Sequence, residues 1–391
     1  MSNPTIQATV PTSALNRILH AASRAQSRSA PIYEMVQLAV RKGTLYAKCF
    51  NGAMGISAQT AVEDQGTGFE ALVNAQTLAS LVGAMNGPVQ LIPESNKSLR
   101  IECGTAQATL TGIEDTLPQI DDAKAKTICT LSGETLANVL RVSVCAAGDT
   151  ALHLNGVLVD VSASKITTWT ADGVRAASCE TIIDGGTPAR FLLPLAFVTW
   201  LQLFASKATV ALKESDSRII VTAKDSENSA LTMSSPKGDH QSFPHANLET
   251  IFDKTFSNED AIRMLVDANL VNLAVRQVKA FGSPHFSLHT KSNNLCVMSA
   301  ATSMGQYHNV VGAAGEEIEI YLHPHITDGL ALLETPEVVF TDAKGPLGLQ
   351  EGSLRLVFMP MIVEGSAPQA EEKPQETGEP VAVEVPAVMA A

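Results

Sequence analysis

Few of the side chains able to do chemistry stand at the spacings that chemistry needs. Asp172 and Gly173 could begin a calcium loop, but no further carboxylate follows at EF-hand spacing, so a turn is expected there. His323 and His325 flank Pro324 and could share a metal ion; the start of a helix is the plainer reading. The six cysteines, Cys49, Cys103, Cys129, Cys145, Cys179 and Cys296, include no CxxC pair, so neither a zinc site nor a disulfide framework is expected. Unpaired thiols suit a reducing cytosol. No glycine-rich phosphate loop and no GxSxG elbow occurs. Histidines and serines are plentiful, yet no set of nucleophile, base and orienting acid can be assembled from them. The expectation is a protein with no catalytic residues, no metal and no cofactor.

The chemistry left is that of charge. In a first helical stretch, Leu15, Ile18, Leu19 and Ala22 form an apolar stripe, and Arg17, His20 and Arg24 fall on another face. Far along the chain Asn269, Asn272, Arg276 and Lys279 follow at +3, +7 and +10, the spacing of one helix face. Asn138 and Arg141 occupy the comparable place in a middle helix. For any one of these a solvated face is explanation enough. Together they matter because all three are non-acidic in a chain of net charge −13. Residues 364–391 hold six Glu and one Lys, hence −5, which leaves −8 for the rest. Acids gather instead in turns and connectors: Glu63, Asp64, Glu94, Glu214, Asp216, Asp225 and Glu227. A chain that segregates charge in this way can be acidic overall and still offer cations to a phosphate backbone.

The elements that carry these faces repeat. TSALNRILHAASRA (12–25), SGETLANVLRVSVCAA (132–147) and DANLVNLAVRQVKAF (267–281) read as amphipathic helices. Each precedes a hairpin with a turn, KGT, SASK or KSNN, then a strand running into a second helix, then a second hairpin. The plan returns every 120–130 residues, which predicts an α+β fold with helices on one face of antiparallel sheets. TLPQIDDAKAKT (116–127) and SFPHANLETIFDKT (242–255) separate the repeats, and Leu117–Pro118 and Phe243–Pro244 favour extended chain in both. The chain is 45% hydrophobic, enough for several cores. No apolar run reaches the 18 residues of a membrane span. The beginning lacks the basic and then apolar pattern of a secretory signal, so a cytoplasmic protein is expected. The Pro-, Glu- and Ala-rich tail 364–391 is expected to be disordered.

Four stretches carry a family resemblance: SRSAPIYEMVQLAVRKGTLYAKCFN, LNGVLVDVSASKITTWTADGVRAA (154–177), SFPHANLETIF (242–252) and LRLVFMPMIV (354–363). Leu-Asn-Gly, Asp-Gly-x-Arg and Met-Pro-Met in this order, on a triplicated frame, resemble the β subunit of bacterial DNA polymerase III, the sliding clamp, in a divergent form. The resemblance implies three tandem clamp domains, 1–122, 126–246 and 248–363, before the tail. It implies a ring-shaped homodimer with helices lining the hole and sheets outside. It further implies a processivity factor without catalysis. Its partners would be double-stranded DNA held without regard to sequence, the polymerase III α subunit and the clamp loader. A monomeric scaffold derived from the same fold is the alternative.

The resemblance also assigns residues. DNA would be met by Arg17, Arg24, Arg28, Arg141, Arg276 and Lys279. The ring would close through Leu110 against Ala280 and Phe281. A cleft for partner peptides would use Leu154, Ala171, Gly173, Val174, Arg175 and Ala176, with Pro244 and Leu248 from the second separator. The end of the third repeat would add Phe358, Met359, Pro360, Met361, Ile362 and Val363. Methionines suit an adaptable apolar groove. Val174 stands where the family has His, Ala176 where it has Leu, and Ile362 where it has Arg, so altered motif preference is expected. The stretch NAQTLASLVGAM carries none of the family's cations.

Overall fold

The computed structural model describes residues 8–361, apart from 65–67, 95, 119, 121–123, 149–150, 225–228, 301 and 314–316. Ile362, Val363 and the acidic tail lie outside the described residues.

Turn chemistry sets the hairpins. Met35–Arg41 and Thr44–Phe50 are joined by Lys42 and Gly43, both at positive φ (50° and 72°). Phe286–Lys291 and Asn294–Ser299 are joined by Ser292 and Asn293 at φ 52° and 61°. Two consecutive left-handed residues match the twist of an antiparallel pair, so the chain reverses tightly. Among the described residues these and the other strands form four antiparallel sheets of five, eight, eight and four strands.

The strands recur in threes. Ala8–Pro11, Pro88–Pro93, Leu99–Cys103 and Ala106–Leu110 form one neighbour series. Lys126–Leu131, Val210–Glu214, Arg218–Lys224 and Ala230–Pro236 repeat it, and Ile262–Leu265, Glu337–Phe340, Leu347–Glu351 and Leu354–Phe358 repeat it again. A second kind of series ends in Gly55–Ala61, Arg175–Ile182 and His308–Ala313. Twice, the last strand of one series joins the last strand of the other kind across the repeat boundary. Ala230–Pro236 pairs with Gly55–Ala61, Leu231 opposite Ala58. Leu354–Phe358 pairs with Arg175–Ile182, Leu356 opposite Ala177. Each junction makes an eight-stranded sheet. Ala106–Leu110 and His308–Ala313 are left as sheet edges.

Seven α-helices accompany these sheets among the described residues: α1 (Thr12–Ser23), α2 (Ala75–Gly83), α3 (Gly133–Val139), α4 (Leu195–Leu201), α5 (His245–Phe256), α6 (Ala268–Ala280) and α7 (Ile326–Leu330). The stripe Leu15, Ile18, Leu19 and Ala22 of α1 is buried, as its spacing predicts. Asp267 caps α6 by accepting from Asn269 N (2.8 Å) and Leu270 N (3.1 Å). The middle helix is shorter than its pattern: α3 stops at Val139 and the chain continues as a 3-10 turn, Leu140–Cys145. Thr168 and Thr170 hydroxyls donate to Val139 O (2.6 Å) and Val142 O (2.7 Å), carbonyls that an α-helix would use itself.

The separator 242–255 departs from the extended chain that Pro244 favours, since α5 occupies it. Pro244 sits at the N-cap, where its missing N–H costs the helix nothing. Leu248, Phe252 and Phe256, four apart, face a sheet that lends Val357 and the bare backbone at Gly348. The neighbours Leu347, Leu349 and Leu356 point the other way into the main core, so α5 covers the opposite face of that sheet. Leu117 of the first separator plays a similar part, packing on Phe50 and Leu72 and accepting from the buried Lys48 ammonium at 3.3 Å.

Candidate nucleic-acid and peptide interfaces

The cations assigned to DNA contact all lie at the surface of α1, of the turn after α3 and of α6, or just beyond α1. They are not equally available. Arg17 donates to Ser229 Oγ (3.4 Å) across the first junction. Arg141 donates to Asn138 Oδ1 (3.2 Å) and to the backbone carbonyl of Leu332, just past α7. Lys279 donates to Thr327 Oγ1 of α7 (3.0 Å). Arg24, Arg28 and Arg276 are exposed, and their side chains make no hydrogen bond or ion pair among the described residues. Three of the six therefore brace neighbouring elements, and three project freely toward solvent.

The stripe read along α6 is only partly a surface. Asn272 is buried, 7% exposed, with its Oδ1 unpartnered. Leu270 and Leu273 take its place in the open, at 49% and 53%. Helical spacing alone could not tell which of two adjacent faces the sheet would cover. The exposed face of α6 thus mixes leucines with Asn269 and Arg276, a surface suited to weak contact rather than to a dense row of phosphate ligands.

The peptide-cleft residues fall into two layers. Leu154, Ala171, Ala176 and Leu248 are buried in one apolar cluster with Leu158, Trp169, Leu192, Phe243, Phe252 and Val357. Trp169 meets Phe252 edge-on at 5.1 Å and His245 at 5.2 Å. Trp169, Phe243, His245 and Phe252 were absent from the sequence assignment. For Phe252 the signal was the four-residue spacing with Leu248 and Phe256 inside α5, and the separator reading hid it. Above this floor, Val174 is 54% exposed and Met359 42%, while Pro244, Pro360 and Met361 are half-buried. Phe358 is not at the surface; it is 5% exposed and its ring faces Gly329 of α7.

The two walls expected of this cleft are hydrogen-bonded neighbours. Arg175 lies opposite Phe358 in one ladder, and Met359 N donates to Val174 O at 2.8 Å. Met361 N donates onward to Tyr321 O at 2.8 Å. Asp172 and Gly173 form the expected turn, with Asp172 Oδ1 accepting from Val174 N (3.1 Å) and Arg175 N (2.9 Å). The Arg175 guanidinium then donates to Asp172 (2.7 Å), Asp328 (2.9 Å) and the carbonyl of His325 (3.0 Å). Arg175 therefore locks the turn to the start of α7, a bracing contact rather than a free ligand. His323 and His325 stack at 4.4 Å beside it.

Leu110 is half-buried on its edge strand, and Phe281 packs near Tyr307 at 5.9 Å beside the other edge. Ala280 is exposed. Met304 (62%) and Val310 (49%) add apolar surface on that side.

No family model matches the sequence, and none of the curated proteins does. Solved structures do match. A DNA polymerase sliding clamp from Pseudomonas aeruginosa is 17% identical, with a TM-score of 0.81 over 92% of this chain and 100% of that one. The DNA polymerase III β subunit of Thermotoga maritima is 21% identical, with a TM-score of 0.80 over the same shares. The sliding clamp of Bacillus subtilis is 17% identical, at 0.79 over the same shares again. The chain thus has the fold of the bacterial DNA polymerase III β sliding clamps at low sequence identity.

Proposed function

We propose that this chain is a DNA polymerase processivity clamp: two copies, head to tail, enclose double-stranded DNA and tether a polymerase without catalysing any step. Each copy would contribute three clamp domains, 1–122, 126–246 and 248–363. One observation carries the reading. Within the chain, the last strand of one series twice pairs with the last strand of the other kind. Ala106–Leu110 and His308–Ala313 are the remaining members of those two series, and each is a sheet edge with its outer side unpaired among the described residues. Pairing Ala106–Leu110 of one copy with His308–Ala313 of another completes the same junction, and doing so twice leaves neither edge open. Closed sheets remove the hazard that bare edges present. Leu110 would then face the side that carries Ala280 and Phe281.

In this reading Arg24, Arg28 and Arg276 meet phosphates in the hole, with Arg17, Arg141 and Lys279 behind them. Contacts of this kind hold the backbone without reading bases, so tethering rests on closure rather than on affinity. The polymerase III α subunit and the clamp loader would dock a short peptide over Val174 and Met359, beside Pro244, Pro360 and Met361. Burying one Leu and one aromatic contributes about 3–5 kcal/mol of gross transfer energy. Ordering the peptide offsets much of it, which leaves a micromolar affinity.

Equilibrium sedimentation tests the reading. The parent protein should run at twice the chain mass, and Leu110→Asp with Phe281→Asp at once. A parent that sediments as a monomer would favour the scaffold alternative, and a dimeric double variant would place the interface elsewhere.

A further inference from the structure

Three adjacent strands of the four-stranded sheet bring together residues far apart in sequence. His289 lies opposite Cys296, and His308 lies opposite Met298, two residues further along the same strand. The inward neighbours Leu288, Leu295 and Val297 belong to the main core, so His289 and Cys296 share the opposite face of the sheet. A register shift after Leu295 sets Val310 opposite Cys296, which turns His308 and the exposed Val310 to that face as well. The result is that one ligand atom from each of His289, Cys296 and His308 lies within 4.8 Å of the other two.

A second observation points the same way. His289 Nδ1 is sealed from solvent and has no hydrogen-bond partner among the described residues. A buried imidazole nitrogen without a partner costs free energy that a bound ion would relieve.

We propose that His289, Cys296 and His308 form a binding site for a borderline-soft divalent metal ion of the zinc class. Two imidazoles and a thiolate are nitrogen and sulfur donors that a tetrahedral zinc ion accepts, with water in the fourth position. Zn–N and Zn–S bonds of about 2.0–2.3 Å place ligands roughly 3.3–3.6 Å apart, so a modest side-chain rotation would close the triad. Binding releases one proton, from the Cys296 thiol, and changes no oxidation state. The ion would clip the edge strand His308–Ala313 to its two neighbours. Nothing in the site depends on the ring.

Cobalt(II) added to the chelator-stripped full-length protein is the probe, because thiolate ligation gives it a near-ultraviolet charge-transfer band. One cobalt per chain should bind with that band and with visible absorption of tetrahedral intensity, and zinc should displace it. Cys296→Ser should lose the charge-transfer band. The exposed His308→Ala, which leaves the core intact, should weaken binding at least ~10-fold. A parent protein without the band, or a folded His308→Ala variant that binds cobalt as the parent does, would overturn the site.

Discussion

His245 shows how one side chain can serve packing and titration together. Its ring stands edge-on to Trp169 at 5.2 Å, and its Nδ1 lies 3.5 Å from Glu249. Burial, opposed by Glu249, holds its pKa below the ordinary 6.5. The unfolded chain therefore takes up a proton near pH 6.5 that the folded chain refuses, so stability is full above that pH and falls as the pH drops below it. His323, lowered by burial and by His325, acts in the same direction. His245→Phe should flatten the loss of thermal stability between about pH 7 and pH 5 relative to the parent. Superimposable pH profiles would remove His245 from that account. The freely projecting cations make a separate prediction. Arg24→Glu with Arg276→Glu should weaken association with duplex DNA while sedimentation still reports a dimer. Unchanged association would mean that phosphates are met by other residues. The cations and their helical spacing were legible in the sequence. That Arg17, Arg141 and Lys279 brace other elements was not, because their partners lie 212, 191 and 48 residues away.

At the scale of elements, α5 decides the shape of the proposed peptide surface. It supplies Leu248 and Phe252 to the floor, and its seat depends on a sheet that presents no side chain at Gly348. A Cβ there would come within 2.7 Å of Thr255 Cγ2 and 2.9 Å of the Phe256 ring. Gly348→Val should cost about 1–3 kcal/mol by overpacking. Phe252→Ala, at a site 2% exposed, should cost about 3–5 kcal/mol through the cavity it leaves. Chemical denaturation measures both, and a loss below ~1 kcal/mol in Phe252→Ala would mean that α5 is loosely seated. Val174→Asp with Met359→Asp tests the surface itself. It should weaken a fluorescent Leu- and Phe-containing polymerase peptide more than ~10-fold and leave the dimer intact. Equal binding would move the partner site elsewhere. The sequence hid this element because a proline after an apolar residue argues locally for extended chain. The apolar spacing 248, 252, 256 argued for a helix, and tertiary cover over Val357 decided between them.

For the whole molecule, charge and closure pull on different observables. The net charge of −13 repels DNA, so the proposed association would rest on a few local cations and should fall by orders of magnitude between low and moderate salt. Ring closure by strand pairing and apolar contact should barely change over the same range, since neither depends on exposed charge. Sedimentation and DNA binding measured across one salt series separate the two; a dimer that dissolves along with DNA binding would place charge pairs at the seam.

The sequence by itself determined the triplicated plan. Periodicity and turn residues are local signals, and they returned the same helices and hairpins three times over. It also marked Asp172–Gly173 as a turn and α1 as a one-faced helix, for the same reason. Only the tertiary structure decided which strands meet across repeat boundaries, and therefore which two edges stay open. Only it buried Asn272 while exposing Leu270 and Leu273, gathered Trp169 and Phe252 into one apolar cluster beneath Val174 and Met359, and set His289, Cys296 and His308 on one face. A β-ladder brings side chains together by register between strands, and register is written in pairings that no spacing along one chain reveals.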